Sequence, residues 1–257
     1  MIDIHCHILP GLDDGPLDIA ESISMAKQAV ADGIHTLVAT PHTLNDKYLN
    51  PHSRINKAIE QFQSVLSEEQ LGLKICPGSD VHVCSGLTEK VMEGEVYTIN
   101  NRMHHLLVEF PVHAIPEGSR DELFKLRLNG ITPIITHPER NLIFQYNMDV
   151  LHDLINMGCL IQVTAMSITG DFGREAMESV HKMLQLRLAH IIASDAHSSD
   201  RRPPILSHAV EVAATILQNE SEAMAMVSDR PQAVIDGEDV VVPEALKPKK
   251  RWWEVWA

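Results

Sequence analysis

The sequence has few basic residues and few cysteines, and it contains no long apolar run. Lysine and arginine number 21 against 35 acidic residues, a net charge of −14 with neutral histidine. Such a chain is unsuited to sequence-independent nucleic-acid binding, in which Lys and Arg displace counterions. A membrane-spanning helix needs roughly 18 or more consecutive apolar residues, and the first residues lack the pattern of a signal peptide. We therefore predict no nucleic-acid partner, no transmembrane segment and no secretion signal.

Cysteine is limited to four residues, Cys6, Cys76, Cys84 and Cys159, without a C-x-x-C pair. This number and spacing suit neither a disulfide scaffold nor a zinc ribbon, so we predict a reducing, cytoplasmic compartment. No cysteine is followed six positions later by arginine, as the cysteine phosphatases require. Phosphate-binding P-loop, dinucleotide-binding, H-E-x-x-H and G-x-S-x-G motifs are also missing. Among hydrolytic chemistries, these absences leave metal-assisted hydrolysis.

Short β-branched runs alternate with amphipathic helical stretches along the chain. The runs cover residues 2–5, 36–40, 73–76, 106–110, 132–136, 160–164 and 190–194. Their spacing of about 30 residues is that of βα units, and the repeated pattern predicts a parallel sheet that is buried on both faces. A closed barrel and an open doubly wound sheet both fit this pattern. No Gly/Ser linker interrupts residues 1–246, so we predict one α/β domain there.

The last residues, 247–257, differ in composition from the predicted domain. They are basic and contain all three tryptophans of the chain. One interpretation is that the indoles pack on the domain or on another subunit. The alternative is contact with a membrane surface or a partner protein, since cationic and aromatic segments favour such interfaces.

Histidine is abundant, with 15 residues, and ligand-type side chains follow most of the predicted strands. These residues are His5, His7, His42, Asp80, Glu109, His137, Asp195 and His197. Parallel α/β folds build their sites at the carboxyl ends of strands. In His5-x-His7 and Asp195-x-His197 the period of two places both side chains on one face of a strand. Mixed imidazole and carboxylate donors suit manganese, iron or zinc. We interpret the other histidines as structural, with His82 and His113 the nearest alternatives.

Several motifs resemble one known superfamily. They are IDIHCHILPGLDDG at residues 2–15, ATPH at 39–42, LVEFP at 107–111, THPER at 136–140, and SDAH at 194–197 with Arg202. The sequence resembles the PHP (polymerase and histidinol phosphatase) superfamily. Within it, the chain is most similar to the metal-dependent bacterial protein-tyrosine phosphatases of capsule and exopolysaccharide gene clusters.

This resemblance implies a distorted (β/α)7, TIM-like barrel with three metal ions, Mn²⁺ or alternatively iron or Zn²⁺. The implied ligands are His5, His7, Asp80 and Asp195 for one ion, Asp80, Glu109 and His137 for a second, and Asp14, His42 and His197 for a third. The adjacent Asp13 is an alternative to Asp14, which could instead cap the following helix. Asp80 stands where the family pattern has glutamate, so the bridging carboxylate is one methylene shorter and we expect an adjusted or weaker metal position.

The implied activity is hydrolysis of phosphotyrosine by a metal-activated hydroxide, without a phosphoenzyme. Arg140 and Arg202 would bind the phosphate, since an arginine fork matches its oxygens. The resemblance also implies a membrane-associated tyrosine autokinase as the phosphoprotein partner, and it is compatible with a homo-oligomer. Two other functions remain open: another phosphoesterase of the superfamily, such as a histidinol-phosphate phosphatase, and a non-catalytic module that binds a phosphorylated protein.

Overall fold

The computed structural model of the protein describes residues 1–45 and 47–247. The predicted basic, tryptophan-rich tail therefore lies outside the described residues beyond Lys247.

All seven predicted runs form strands, and two short strands accompany them. The strands are β1 (Ile2–Cys6), β2 (Thr36–Ala39), β3 (His42–Thr43), β4 (Lys74–Pro77), β5 (Asp80–His82), β6 (His105–Glu109), β7 (Thr132–Thr136), β8 (Leu160–Thr164) and β9 (Ile191–Ala193). The additional strands β3 and β5 resume shortly after β2 and β4 end. His42 and Asp80 follow β2 and β4, as expected, and each begins one of these short strands.

Helices connect the strands and cover the outside of the sheets. They are α1 (Ile19–Ala31), α2 (His52–Glu68), α3 (Leu87–Met92), α4 (Ser119–Leu128), α5 (Leu142–Tyr146), α6 (Met148–Asn156), α7 (Ala165–Thr169), α8 (Arg174–Gln185), α9 (Ser207–Leu217), α10 (Glu220–Ala225) and α11 (Asp229–Asp236). Asp18, and not Asp14, caps α1 by accepting a hydrogen bond from the Glu21 amide. No helix in the described part of the chain has the length and apolarity needed to cross a membrane.

The strands pair in parallel in two sheets, in the orders β1-β2-β4 and β3-β5-β6-β7-β8-β9. Because β3 continues β2 and β5 continues β4, the two sheets share the same stretches of chain. The first and last strands also meet: the Asp195 amide donates to the His5 carbonyl at 2.8 Å, and the His7 amide donates to the Ala196 carbonyl at 2.9 Å. These bonds join the strands into a ring, which agrees with the predicted distorted barrel and not with an open sheet.

Alternate strand residues divide the core into an inner and an outer layer. Ile4, Val38, Leu107 and Ile134 belong to one buried cluster that is completed by residues of α11. Their neighbours along the strands pack in the larger cluster, together with residues of the covering helices. The inner layer is apolar at the amino ends of the strands and gives way to histidines and carboxylates at their carboxyl ends. This change of polarity positions the site.

Candidate metal centre

A pocket of about 200 Å³ opens at the carboxyl ends of the strands. It is lined by Asp14, His42, Glu109, Phe110, Val112, Thr136, His137, Pro138, Arg140, Asn141, Asp195, His197 and Arg202. Three other predicted site residues, His5, His7 and Asp80, are buried and contact the lining residues. The structure therefore brings all of the predicted site residues together at one edge of the barrel.

Strand register explains part of this convergence. His5 lies on β1, and His7 is the first residue after this strand ends at Cys6. His42 on β3 pairs with Asp80 on β5, and Glu109 is the last residue of β6. Because neighbouring parallel strands end at one edge, side chains distant in sequence become neighbours.

His137 and Asp195 occupy turns in which the chain leaves the barrel. Their φ angles are 35° and 51°, in the left-handed region that is uncommon for residues other than glycine. Asp195 and His197 both line the pocket, as expected, but strand alternation is not the reason, because β9 ends at Ala193. Backbone strain of this kind concentrates at functional sites, and here it turns both side chains back towards the pocket.

One group of donors surrounds the buried end of the pocket. His5 Nε2 lies 3.2 Å from His7 Nε2. Each of these nitrogens lies 3.4 Å from Asp195 Oδ1, and His5 Nε2 lies 3.6 Å from Asp80 Oδ2. The four residues are those that the resemblance implies for the first ion.

Two further groups of donors lie beside the first. His137 Nε2 lies 3.5 Å from Glu109 Oε1. The donor atoms of Asp80, Glu109 and His137 all lie within 4.8 Å of one another. Nearer the surface, Asp14 Oδ1 lies 3.5 Å from His42 Nε2 and 3.4 Å from His197 Nε2. Asp14 therefore faces the histidines, in the arrangement implied for the third ion.

Buried atoms that make no hydrogen bond provide a test of whether the site fits metal ions. His42 Nδ1, Asp80 Oδ2 and Glu109 Oε2 are buried, and none makes a hydrogen bond within the described residues. Yet they approach one another, with His42 Nδ1 3.1 Å from Asp80 Oδ2 and 3.5 Å from Glu109 Oε2. Buried polar atoms rarely lack a partner, and an ion is one explanation for such a group. The donor chemistry and these atoms therefore fit divalent cations.

The two predicted phosphate-binding arginines converge on Asp195. Arg140 and Arg202 each donate to Asp195 Oδ2, at 2.5 Å and 2.7 Å. Both guanidinium groups also lie over the ring of Phe172, with their carbons 5.1 Å and 5.4 Å from its centroid. The arginines are thus held at the pocket by a carboxylate and an aromatic ring.

Electrostatic partners determine the protonation of the buried histidines. Burial opposes charge on His7, but Asp13 Oδ2, 2.6 Å from its Nδ1, outweighs burial and holds the pKa of His7 well above its ordinary value. Burial, followed by the charge of Arg140, places the pKa of His137 well below its ordinary value. Burial and the charge of His7 lower the pKa of His197 to about 4. His137 and His197 are therefore neutral at pH 7, which is the form that binds metals.

Two polar residues that orient histidines were missed in the sequence. Asp13 accepts hydrogen bonds from His7 Nδ1 and from the His42 amide, the second at 2.9 Å. Gln162, on the one predicted strand without a terminal ligand, places its Oε1 2.9 Å from His5 Nδ1. In the sequence, Asp13 was considered only as an alternative metal ligand to Asp14. No motif or spacing in the sequence indicated a role for Gln162.

Three more residues beside the site were also missed. Buried Glu139 accepts hydrogen bonds from the Thr164 amide at 3.0 Å and the Ser167 hydroxyl at 2.7 Å, which fixes the turn before Arg140. Phe172 contacts the two arginines across a long sequence separation. His82, which was interpreted as structural, contacts Glu109 directly. The contacts of Phe172 and Glu139 depend on tertiary structure, which local patterns do not contain.

The sequence matches one family of known proteins over most of its length. The family model described as capsular polysaccharide synthesis, CpsB/CapC, matches residues 1–236. CapC of Staphylococcus aureus is 39% identical over 80% of this chain and 80% of its own length. Tyrosine-protein phosphatase YwqE of Bacillus subtilis is 32% identical over 97% of this chain and 98% of its own length. The alignment with YwqE therefore spans nearly the whole chain, and that with CapC spans four fifths of it.

Solved structures agree with these relationships. A structure described with YwqE from Bacillus subtilis and CpsB from Streptococcus pneumoniae, as metal-dependent tyrosine phosphatases, superposes with a TM-score of 0.91. It is 31% identical and covers 97% of this chain and 100% of that chain. An organophosphorus hydrolase, at 12% identity and a TM-score of 0.53, shares the fold alone. The predicted resemblance is confirmed, and the chain belongs to the CpsB/CapC family of capsular polysaccharide synthesis.

Proposed function

We propose that this protein is a metal-dependent protein-tyrosine phosphatase. The observation that carries the proposal is the convergence of nine histidines and carboxylates with two arginines in one pocket at the barrel edge. Relatives that align over nearly the whole chain are named tyrosine-protein phosphatases. A binding module would need the arginines, but it would not need so many metal-type donors.

The nine ligand-type residues form three proposed ion positions. The first uses His5, His7, Asp80 and Asp195; the second uses Asp80, Glu109 and His137; the third uses Asp14, His42 and His197. Bound divalent ions supply an activated water at neutral pH and positive charge for the phosphoryl oxygens. We propose Mn²⁺, with iron or Zn²⁺ as alternatives, because the donors are imidazole nitrogens and carboxylate oxygens.

The two arginines hold the phosphate at the mouth of the pocket. Asp195 and Phe172 fix one side of each guanidinium, so the remaining N–H groups need no reorganisation to receive an anion. We propose that these N–H groups bind the phosphoryl oxygens, where charge grows in the transition state.

The pocket also has an apolar side that suits an aryl ester. Phe110, Val112 and Pro138 line it, and Val112 is 51% exposed at the rim. This side can accept the phenyl ring of phosphotyrosine. A tyrosine leaving group has a pKa near 10 and needs little protonation as it departs. The reaction therefore requires no dedicated general acid, and we assign none.

The physiological setting is part of the same proposal. The phosphoprotein substrate would be a membrane-associated tyrosine autokinase of capsule or exopolysaccharide synthesis, and the enzyme would act in the cytoplasm. The family description, capsular polysaccharide synthesis, supports this setting. We further propose residues 1–246 as the catalytic domain and 247–257 as a docking tail, with a homo-oligomer as one use of that tail.

Phosphate release from a phosphotyrosine peptide tests the proposed function. The protein is purified with a chelator and then supplied with Mn²⁺, Fe²⁺ or Zn²⁺ separately. We expect release only with metal, and slower release from histidinol phosphate and other small alkyl phosphates. Preference for the alkyl esters would favour another phosphoesterase. Peptide binding by metal-loaded protein without release would favour the non-catalytic module.

A further inference from the structure

Four ligand-type residues occupy adjoining positions on three neighbouring strands. They are His42 on β3, Asp80 and His82 on β5, and Glu109 on β6. The register pairs His42 with Asp80 and His82 with Glu109. Asp80 and His82 are two residues apart on one strand, so their side chains point to the same face. Backbone pairing alone therefore places His82 beside three of the proposed ligands.

The side chains of this cluster touch through their donor atoms. His82 Nε2 is in direct contact with Glu109 Oε2. Glu109 Oε2 lies 3.5 Å from His42 Nδ1. The rings of His42 and His82 are arranged edge to face, with their centroids 6.0 Å apart. Donor atoms of His42, His82 and Glu109 all lie within 4.8 Å of one another. This spacing is short enough for a single ion to contact all three.

Buried atoms that make no hydrogen bond among the described residues are concentrated in the same place. They are His42 Nδ1, Asp80 Oδ2 and Glu109 Oε2. A cation beside Glu109 Oε2 would give this carboxylate and His42 Nδ1 a shared partner, and it would take the nitrogen of His82 as a further donor.

We propose that His82 is a tenth metal-ligating residue, which binds through Nε2 an ion that it shares with Glu109 and His42. This inference rests on the proposed metal centre and adds a donor where its second and third positions adjoin. The ion would have two imidazole ligands and one carboxylate ligand, a set that suits Zn²⁺, Fe²⁺ and Mn²⁺. The side chain of His82 is 30% exposed, so it is the ligand through which this ion meets solvent.

A glutamine substitution separates coordination from simple hydrogen bonding. In His82→Gln the amide still donates to Glu109, but it is a poor ligand for these ions. Metal content is measured after gel filtration, and affinity by competition with a chromophoric chelator. We expect one ion to bind at least about 10-fold more weakly, since even groups that only orient a ligand change affinity by roughly 10- to 100-fold. His208→Gln is the matched control, because the His208 side chain is 67% exposed and contacts none of the ligands.

The outcomes distinguish this inference from the proposed function. If the wild-type protein binds no metal, the proposed metal centre itself is wrong. If it binds metal and His82→Gln binds all ions with wild-type affinity, only the assignment of His82 is overturned. Circular dichroism and the thermal unfolding midpoint establish that the compared variants are folded.

A cysteine substitution gives a direct spectroscopic test. A thiolate that coordinates Co²⁺ produces an intense near-ultraviolet charge-transfer band, whereas a thiol that only lies nearby does not. We expect this band in cobalt-loaded His82→Cys. Wild type and His208→Cys, which retain the same four native cysteines, provide the baseline. Absence of the band from folded, cobalt-loaded His82→Cys would refute coordination at this position.

Discussion

Asp13 is the most informative single position outside the proposed ligands. Its Oδ2 accepts from His7 Nδ1 at 2.6 Å and from the His42 amide at 2.9 Å, and its Oδ1 accepts from the Gly15 amide at 2.9 Å. Asp13→Asn keeps the shape but replaces one acceptor oxygen with an NH₂ group. In either amide orientation that NH₂ group faces a donor, so the buried site contains a repulsive contact and an unsatisfied N–H.

The pKa of Asp13 gives the size of the effect on stability. Burial raises this pKa, but the charge and hydrogen bond of His7 outweigh burial and lower it from 3.8 to about 2. A shift of this size corresponds to roughly 2 kcal/mol of folding free energy. Because the folded-state pKa is depressed, the stabilisation is fully present above about pH 4 and is lost as the pH falls towards 2. At pH 7, metal-free Asp13→Asn should be destabilised by about 2 kcal/mol.

Metal affinity should fall in the same variant. The hydrogen bond from His7 Nδ1 to Asp13 directs the other ring nitrogen, Nε2, towards the proposed first ion. Loss of such an orienting carboxylate costs roughly 10- to 100-fold in metal affinity. Chelator competition measures the affinity, and urea unfolding of the chelator-treated protein measures the stability.

An exposed aspartate provides the control for this prediction. Asp149→Asn, at the start of α6, removes the same charge at an exposed position that does not line the pocket and should change metal affinity by less than 2-fold. If Asp13→Asn matched this control in both affinity and stability, Asp13 would not orient His7, and the reasoning from the hydrogen-bond geometry would be wrong.

Four further predictions test other parts of the site and the tail. His5→Ala should remove the first ion and abolish phosphate release with the fold retained, as measured by metal analysis, a phosphate assay and circular dichroism. Arg140→Ala should keep its metals but lose about 10²-fold or more in kcat, the scale of one lost transition-state donor; full activity would remove its assignment. Phe172→Ala should lower kcat/KM about 10-fold at unchanged metal content, because each cation–π contact contributes roughly 1 kcal/mol, and Phe172→Tyr should restore it. Deletion of 247–257 should alter oligomeric state or liposome binding, measured by light scattering and flotation; no change in either would leave the tail without the proposed role.

Local sequence patterns were sufficient to predict the seven main strands and most of the side chains that gather at their carboxyl ends. Each of the seven β-branched runs became a strand, because a buried parallel strand needs a continuous apolar segment and little else. The short strands β3 and β5 could not be predicted. They hold two or three residues each, and their pairing is determined by the neighbours they meet in the ring.

The contacts that hold the site in place depend on the tertiary fold. Gln162 and His5 are 157 residues apart, and nothing in the neighbourhood of either predicts the contact. Asp195 was expected to follow the last strand and to keep its alternation, yet its left-handed backbone turns it towards His5 and the arginines. Residue type and position relative to a strand end predicted which side chains gather, but not their orientation.

In the absence of metal ions, positively charged side chains of the protein neutralise the carboxylates of the pocket. Burial would raise the pKa of Asp195, but Arg140 and His5 hold it well below its ordinary value. Burial likewise opposes charge on His5, yet Asp80 and Asp195 raise its pKa above its ordinary value. The charge on these histidines must leave when an ion binds, because metals bind neutral imidazole. Arginine, in contrast, cannot lose its proton in a protein, so Arg140 and Arg202 keep their charge for the phosphate. The histidines can give up their charge to a metal ion, whereas the arginines stay charged. This difference explains how one acidic pocket can bind both metal ions and a phosphate dianion.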